Sequence, residues 1–239
     1  MSKVGKPEKL IVKGKRLDGR AFDELRPLKI KAGVIKTADG SAYIELGKTK
    51  ILVAVYGPKS MYPRRLTEQK RAYLNTYYNM MAFSTTDRAK PGYSRRSIEI
   101  SKVMSEALAP AIMLEKYPQT RIDVAAEVIN SHAGTRTAAI TAAAVALADA
   151  GIELKDLVTS IAVGKADGEL LLDLFNPEDN FGEADLAIAM MPRSKQITLM
   201  QGEGTLNEKE IKEMLKMAKK AIAHIYEEQK KALRERIKR

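Results

Sequence analysis

The stretch from Leu28 to Pro58 limits the possible folds more than any other part of the chain. It reads LKIKAGVIKT, ADGS, AYIELG, GKTK and ILVAVYGP, with apolar side chains at alternate positions and polar, glycine-bearing turns between the runs. A period of two belongs to strands with one buried face, and turns this short send the chain back beside the strand just made. The spacing therefore predicts a three-stranded meander. GKTK at 47–50 ends like a phosphate-binding loop, but the glycine such a loop needs five residues before Gly47 is Ala42. Its setting is also a hairpin rather than a strand entering a helix, so no nucleotide loop is expected there.

The cover for this sheet is predicted downstream. KSMYPRRLTEQKR at 59–71 is polar and basic and reads as a long functional loop before the aromatic-rich strand AYLNTYYNMMAF. Ser94 is placed to cap a helix predicted to reach about Lys116, with Ile98, Val103, Met104, Ala107, Leu108, Ile112 and Met113 on its apolar face. RIDVAAEVIN alternates as a strand, and SHAGTR then leads into an Ala-rich helix that stops at Ala150-Gly151. Strands LVTSIAVG and LLLDLF flank the turn KADGE. An acidic loop, the strands LAIAMM and QITLMQ, and a last helix capped by Asn207 and Glu210 complete the chain. Residues 1–26 read as a flexible basic N-terminal arm ending in the turn RLDGR, and residues 27–239 as one α+β domain with two similar halves, each a meander and a helix.

Charge narrows the function classes. The 239 residues are 45% hydrophobic and 30% charged, enough apolar material for a globular core, and 41 Lys and Arg against 30 Asp and Glu leave a net charge of +11. Such a surface attracts polyanions, nucleic acid first. Disulfides and thiolate zinc sites are excluded because there is no cysteine, and His132 and His224 are isolated in the sequence. With no apolar stretch long enough to cross a bilayer and no apolar core at the N-terminus, the chain is expected to be soluble and cytoplasmic, without a membrane partner. GxSxG and HExxH are absent.

Three loops carry candidate chemistry. In SHAGTR at 131–136, Gly134 removes bulk, Thr135 adds a hydroxyl and Arg136 a guanidinium fork beside the free amides of a helix start. That is either a phosphate site or an ordinary helix start with threonine as cap. In GYSRR at 92–96, Arg95 and Arg96 stand where the helix dipole is already positive, so they either bind an anion or pair with Glu99. In PEDNFGEAD at 177–185, four carboxylates gather in a basic chain; Asp179 and Asp185 either meet around a divalent cation or in proton transfer, or belong to a solvated acidic turn. Taken together, anion-binding arginines, a carboxylate pair and a basic surface suit phosphoryl transfer on nucleic acid.

The segments RLDGR at 16–20, SRRSIEISK at 94–102, AGTRTAAITAAAVALADAGI at 133–152, VGKADG at 163–168 and EDNFGEAD at 178–185 resemble the signature segments of the RNase PH family, in order over nearly the whole chain. Within the family the likeness is to the catalytic subunits of the archaeal exosome, because the carboxylate pair that the silent partner subunits lack is present. The resemblance implies a ribosomal-protein-S5-like α+β fold built from two related halves. It implies phosphorolysis of single-stranded RNA from the 3′ end, with inorganic phosphate as co-substrate and nucleoside 5′-diphosphates as products.

By the same resemblance, Arg96, Gly134, Thr135 and Arg136 would hold phosphate, and Arg64, Arg95 and Arg96 would grip RNA. Asp179 and Asp185 would be the catalytic pair and hold Mg²⁺ or Mn²⁺, with Asp185 as the acid. The implied partners are an inactive paralogue, alternating in a hexameric ring of three heterodimers, and RNA-binding cap subunits. A homohexameric RNase PH that trims tRNA ends, and a ring scaffold that binds RNA without turnover, are the alternatives. LMQGEGTLNEKE at 199–210 departs from the Asp-Gly turn of the relatives, and Ser105 stands where some of them carry a basic residue.

Overall fold

The computed structural model describes residues 7, 9–12, 14–62, 68–92 and 94–238. Two short strands near the N-terminus, β1 (Ile11–Val12) and β2 (Lys15–Arg16), pair as a ribbon. The segment expected to be a free arm is docked from Leu10 onward. Leu10 is buried beside Ala166, Leu171 and Leu174, and Asp167 Oδ2 accepts from the amides of Leu10 and Ile11 at 2.7 and 2.9 Å. The physical reason lies in distant partners: Arg16, Arg20 and Arg26 are all buried and pair with Glu178 or Asp173 far along the chain, Arg20 also with nearby Asp18.

The meander forms as β3 (Leu28–Ala32), β4 (Gly40–Leu46) and β5 (Thr49–Ser60), each antiparallel to the one before. The aromatic-rich strand β6 (Tyr73–Met80) is followed by α1 (Arg95–Leu108), and β7 (Thr120–Asn130) then enters between β5 and β6, giving the order β3-β4-β5-β7-β6. Only the β6–β7 pair of this sheet is parallel, as a strand-helix-strand crossover requires. Ser94 caps α1 in a reciprocal box with Ser97.

The structure differs from the sequence reading of α1 in two ways. The helix ends at Leu108 and continues as 3-10 turns at Ala109–Ala111 and Leu114–Lys116, because Pro110 has no amide to donate. Its buried face runs through Ser97, Ile100, Met104, Ala107 and Leu108, whereas Ile98 is 61% exposed. Both isoleucines are apolar, and only the rotation of the helix on the sheet decides between them.

Next comes α2 (Thr135–Asp149), buried on nearly every side between β4 and β5 of the first sheet and a second sheet. Its alanines permit close approach. Gly40 opens β4 because a Cβ there would lie 2.3 Å from Ala146 O. Fully buried Ile140 and Leu147 each stabilise the core by about 1.5–3 kcal/mol.

The second sheet contains β8 (Thr159–Ala166), β9 (Glu169–Leu172), β10 (Ala184–Met191) and β11 (Gln196–Gly204) in the antiparallel order β11-β10-β8-β9. The acidic stretch, expected to be a loop, contains a short helix, α3 (Asn176–Phe181), because Glu178 reaches back to accept the Phe175 amide at 3.2 Å. The last helix, α4 (Glu208–Ile237), starts at the predicted Asn207–Glu210 box. Buried Gln229 fastens it: its amide donates to Thr141 O and Val158 O at 2.9 and 3.1 Å and accepts from Thr159 Oγ1 at 2.6 Å. This mixed α/β arrangement, a strand-rich half with α1 and α2 followed by one with α3 and α4, agrees with the fold class expected. No helix among the described residues is long and apolar enough to cross a membrane.

Candidate active site

Between the end of β7 and the start of α2, Ala133 and Gly134 both adopt left-handed backbone, at φ 63° and 65°. Two such residues in succession turn the chain sharply, and no side chain caps α2. The amides of its first turn are therefore open to an anion, and the helix dipole favours negative charge there. Thr49 holds the loop from the side: its hydroxyl donates to Ala133 O at 2.8 Å and accepts the His132 amide at 3.1 Å. The GKTK turn thus braces the candidate anion loop without being a nucleotide loop itself. Arg26 holds it from below, donating to His132 O at 2.6 Å, and a Cβ on Gly134 would come within 2.9 Å of Arg26 Nη2.

A cavity of about 300 Å³ opens in front of this loop, with Arg96 from α1, Thr135 from α2 and Asp179 from α3 in its walls. Thr135 is buried, and its hydroxyl accepts from Tyr78 Oη of β6 at 2.8 Å. Burial pushes the Tyr78 phenol above its ordinary range, with Thr135 and the Arg96 guanidinium acting in the opposite direction. Arg136 Nε is buried with no hydrogen-bond partner among the described residues. A guanidinium left in that state is built to receive an acceptor that the protein itself does not supply. Arg95 is exposed and lies outside the cavity wall, and Glu99, its alternative partner, accepts instead from Gln201 Nε2 at 2.9 Å. Arg64, expected to bind RNA, lies outside the described residues.

The four carboxylates of the acidic stretch separate into two pairs with different work. Glu178 is buried in a fork with Arg16, and Glu183 meets Lys165 at 3.3 Å on the surface. Asp179 is in the cavity wall, whereas Asp185 on β10, like Gly134 and Arg136, lies outside the lining and reaches Asp179 through its charge. Asp179 is exposed at the cavity wall, yet the protein packed around its carboxyl takes away part of its water and pushes its pKa up. The charge on Asp185 adds to the rise, while Arg96, Arg26 and Arg136 oppose it. Asp185, half-buried on β10, is likewise pushed up by burial and then by Glu203, its neighbour across the β10–β11 pair, against the pull of Arg136. Arg136 acts on both carboxylates, Arg96 on Asp179, and the Asp185 charge on Asp179, so the four groups are electrostatically linked through Arg136 and Asp179. A carboxyl that holds its proton more tightly than in water, close to guanidinium groups, can act chemically as a general acid.

The donor set bears on metal. No group of three His, Cys, Asp or Glu side chains among the described residues is arranged around a point. Two carboxylates that repel each other remain, and these suit Mg²⁺, which takes one or two carboxylates and completes its shell with water and phosphate oxygens.

Several participants escape a reading of the sequence. Tyr78 looks like one more core aromatic, and Thr85, Asp87 and Asn180, which also line the cavity, sit in polar runs without a motif. Arg16, Arg20 and Arg26 are charged residues in a segment that looks solvated. RLDGR gave a signal in its two arginines around a turn, but their depth was not visible. A larger cavity, of about 480 Å³, lies between Leu25, Leu172 and the face of α4 bearing Lys216 and His224. It contains none of the phosphate-loop, Arg96 or carboxylate-pair residues, so chemistry and not size marks the site.

Known proteins resemble this chain over nearly its whole length. The chain matches the 3′ exoribonuclease family, domain 1, over residues 24–153 and domain 2 of the same family over residues 156–221. It is 53% identical over 232 residues to the exosome complex component Rrp41 of Methanopyrus kandleri, covering 97% of each chain. With the same component of Thermococcus kodakarensis it shares 52% over 236 residues, covering 98% of this chain and 95% of the relative. Among solved structures, rice Rrp46 superposes with a TM-score of 0.81 at 25% identity, over 91% of this chain and 100% of that one. A chain of the Archaeoglobus fulgidus exosome with RNA bound to the active site does so with a TM-score of 0.77 at 25% identity, over 89% and 92%. Sequence and fold lead to one assignment: the chain belongs to the RNase PH family of 3′ exoribonucleases.

Proposed function

We propose that this chain is the catalytic ring subunit of an exosome in the cytoplasm, shortening single-stranded RNA from its 3′ end with inorganic phosphate. The observation that carries the reading is one cavity wall holding Arg96, Thr135 and Asp179, next to Arg136, whose Nε is buried without a partner among the described residues, and to Asp185, whose charge acts on Asp179. Inorganic phosphate sits against the amides at the start of α2, with Gly134 giving room, the Thr135 hydroxyl donating, and the Arg96 and Arg136 guanidinium groups neutralising its charge. Arg64, Arg95 and Arg96 hold the RNA phosphates and bring the last phosphodiester in line with the attacking oxygen. A phosphate oxygen bonds to the terminal phosphorus, the bond from that phosphorus to the 3′ oxygen of the preceding nucleotide breaks, and Asp185 gives its proton to that oxygen. The products are a nucleoside 5′-diphosphate and an RNA one residue shorter. Asp179 and Asp185 would hold Mg²⁺ or Mn²⁺, which when bound supplies positive charge to the phosphoryl oxygens.

The relatives named as exosome components support the choice of an exosome over a homohexameric tRNA-trimming enzyme. In this reading an inactive paralogue alternates with the chain in a ring of six, and RNA-binding subunits cap it. The test uses the chain purified alone and with a co-expressed paralogue on a short polyadenylate. Nucleoside diphosphates must appear only when phosphate is present. Monophosphates, or no release, would overturn the reading, and full activity of the chain alone would favour the homohexamer.

A further inference from the structure

Asp179 is carried by a helix too short to hold itself. A six-residue helix has no independent stability in water, so the place of α3 (Asn176–Phe181) is fixed by whatever grips it. The grip comes from the segment at the opposite end of the chain. Arg16 Nε donates to Glu178 Oε1 at 2.8 Å and Nη2 donates to Oε2, with both side chains 0% exposed. The same guanidinium donates to Leu172 O at 2.7 Å and Asp173 O at 3.0 Å, the backbone leading into the helix. Arg20 Nη2 adds a further bond to Asp173 O at 3.0 Å. Arg26 completes the connection: its Nε and Nη2 hold the Asp173 carboxylate at 2.9 and 2.6 Å, while its Nη1 holds His132 O of the phosphate loop at 2.6 Å.

Asp173 and α3 belong to the second half of the fold, and His132 to the first. We infer that Arg16, Arg20 and Arg26 are positioning residues, a strap that sets the carboxylate helix at its working distance from the phosphate loop. The inference rests on the proposed function and extends it to residues that touch neither RNA nor phosphate. Stability alone is a poor reason for these contacts, because two buried charges lose about as much on leaving water as their attraction returns, and apolar residues of similar size serve packing equally well. What a planar fork gives and an apolar pair does not is a fixed angle and distance. Glu178 adjoins Asp179, so the angle set at one is passed to the other through a single peptide unit.

Two variants separate positioning from packing, each studied in whatever assembly makes the wild type active. Arg16→Met with Glu178→Met replaces the fork by an apolar pair. The Leu172 and Asp173 carbonyls and the Phe175 amide lose partners, so its melting temperature should fall, but in the folded variant, assayed well below that temperature, kcat should fall about 10- to 100-fold, the usual cost of a displacement near 1 Å, while RNA affinity holds. Arg26→Lys keeps the charge but cannot reach both Asp173 and His132 O. The phosphate concentration for half-maximal rate should rise about 10-fold, and stabilisation of the RNA-free protein by inorganic phosphate against heat should need a matching increase. Wild-type kcat in the double variant, or a loss no larger than its unfolded fraction, would overturn the strap. If the double variant fails to fold, an unchanged phosphate requirement in Arg26→Lys would overturn it by itself. A wild type that releases no diphosphates would instead sink the proposed function, and the phosphate-protection measurement would still report on Arg26.

Discussion

Replacing Gly134 by alanine tests the phosphate loop at its narrowest point. At φ 65° an L-residue suffers contact between its Cβ and backbone, at about 1–2 kcal/mol. The new methyl would also lie 2.9 Å from Arg26 Nη2, which cannot swing away freely because it holds Asp173 Oδ1 at 2.6 Å. Weakening one such bond adds about 1 kcal/mol. The sum, about 2–3 kcal/mol, should lower the melting temperature by roughly 4–12 °C if the loop keeps its shape. If the loop instead leaves the left-handed region to escape the strain, the amides at the start of α2 turn away from phosphate. The phosphate needed for half-maximal rate then rises about 10- to 100-fold. Thermal melting of the chain and the phosphate dependence of diphosphate release distinguish the two responses. Ala133→Gly is the control: alanine already stands there at φ 63°, so relief of strain and greater freedom of the unfolded chain should leave stability within about 1 kcal/mol. Wild-type melting together with wild-type phosphate dependence in Gly134→Ala would refute the account of the loop.

Asp185→Asn should slow turnover by about 100-fold or more with RNA affinity unchanged, and near-normal turnover would remove Asp185 from the acid role. Because burial and Glu203 push the Asp185 carboxyl up, its protonated form persists to higher pH than in water, so wild-type turnover should decline as pH rises through the shifted value, a limb absent from the Asn variant. The sign for stability agrees: with Asp179 and Asp185 both raised, the native state binds more protons than the unfolded one between the ordinary and the shifted values. Their contribution to folding therefore falls as pH rises through that window, which melting against pH would detect as a difference between wild type and Asp185→Asn. Arg136→Ala should raise the phosphate requirement, whereas Arg64→Ala should weaken RNA binding and flatten its salt dependence; equal effects on RNA affinity with unchanged phosphate dependence would show the roles reversed or shared. Sedimentation of the co-expressed pair should give one species near six chains, and digestion should stop a fixed distance before a stable hairpin; a monomer that passes through hairpins at full rate would exclude the ring.

The candidate site residues stand out in the chain because their local setting is unusual: arginines at a helix start, glycine before a helix, carboxylates in a basic protein. So were the meander, the Ala-rich helix and the caps at Ser94 and Asn207, since alternation, small residues and capping boxes act within a few positions of one another. What the sequence could not decide was which charges are removed from water. Glu178 and Asp179 are neighbours of the same charge type, yet one is locked against Arg16 and the other faces the cavity. Ile98 and Ile100 are equally apolar, yet only Ile100 is buried. Arg16 and Glu178 stand 162 residues apart, and nothing local to either announces the other. Periodicity and caps are set by interactions over one or two turns of chain, whereas burial and ion pairing depend on which surfaces meet after the two halves close on α2. Only the tertiary structure contains that information, and with it the reason a segment that looked solvated holds the active site together.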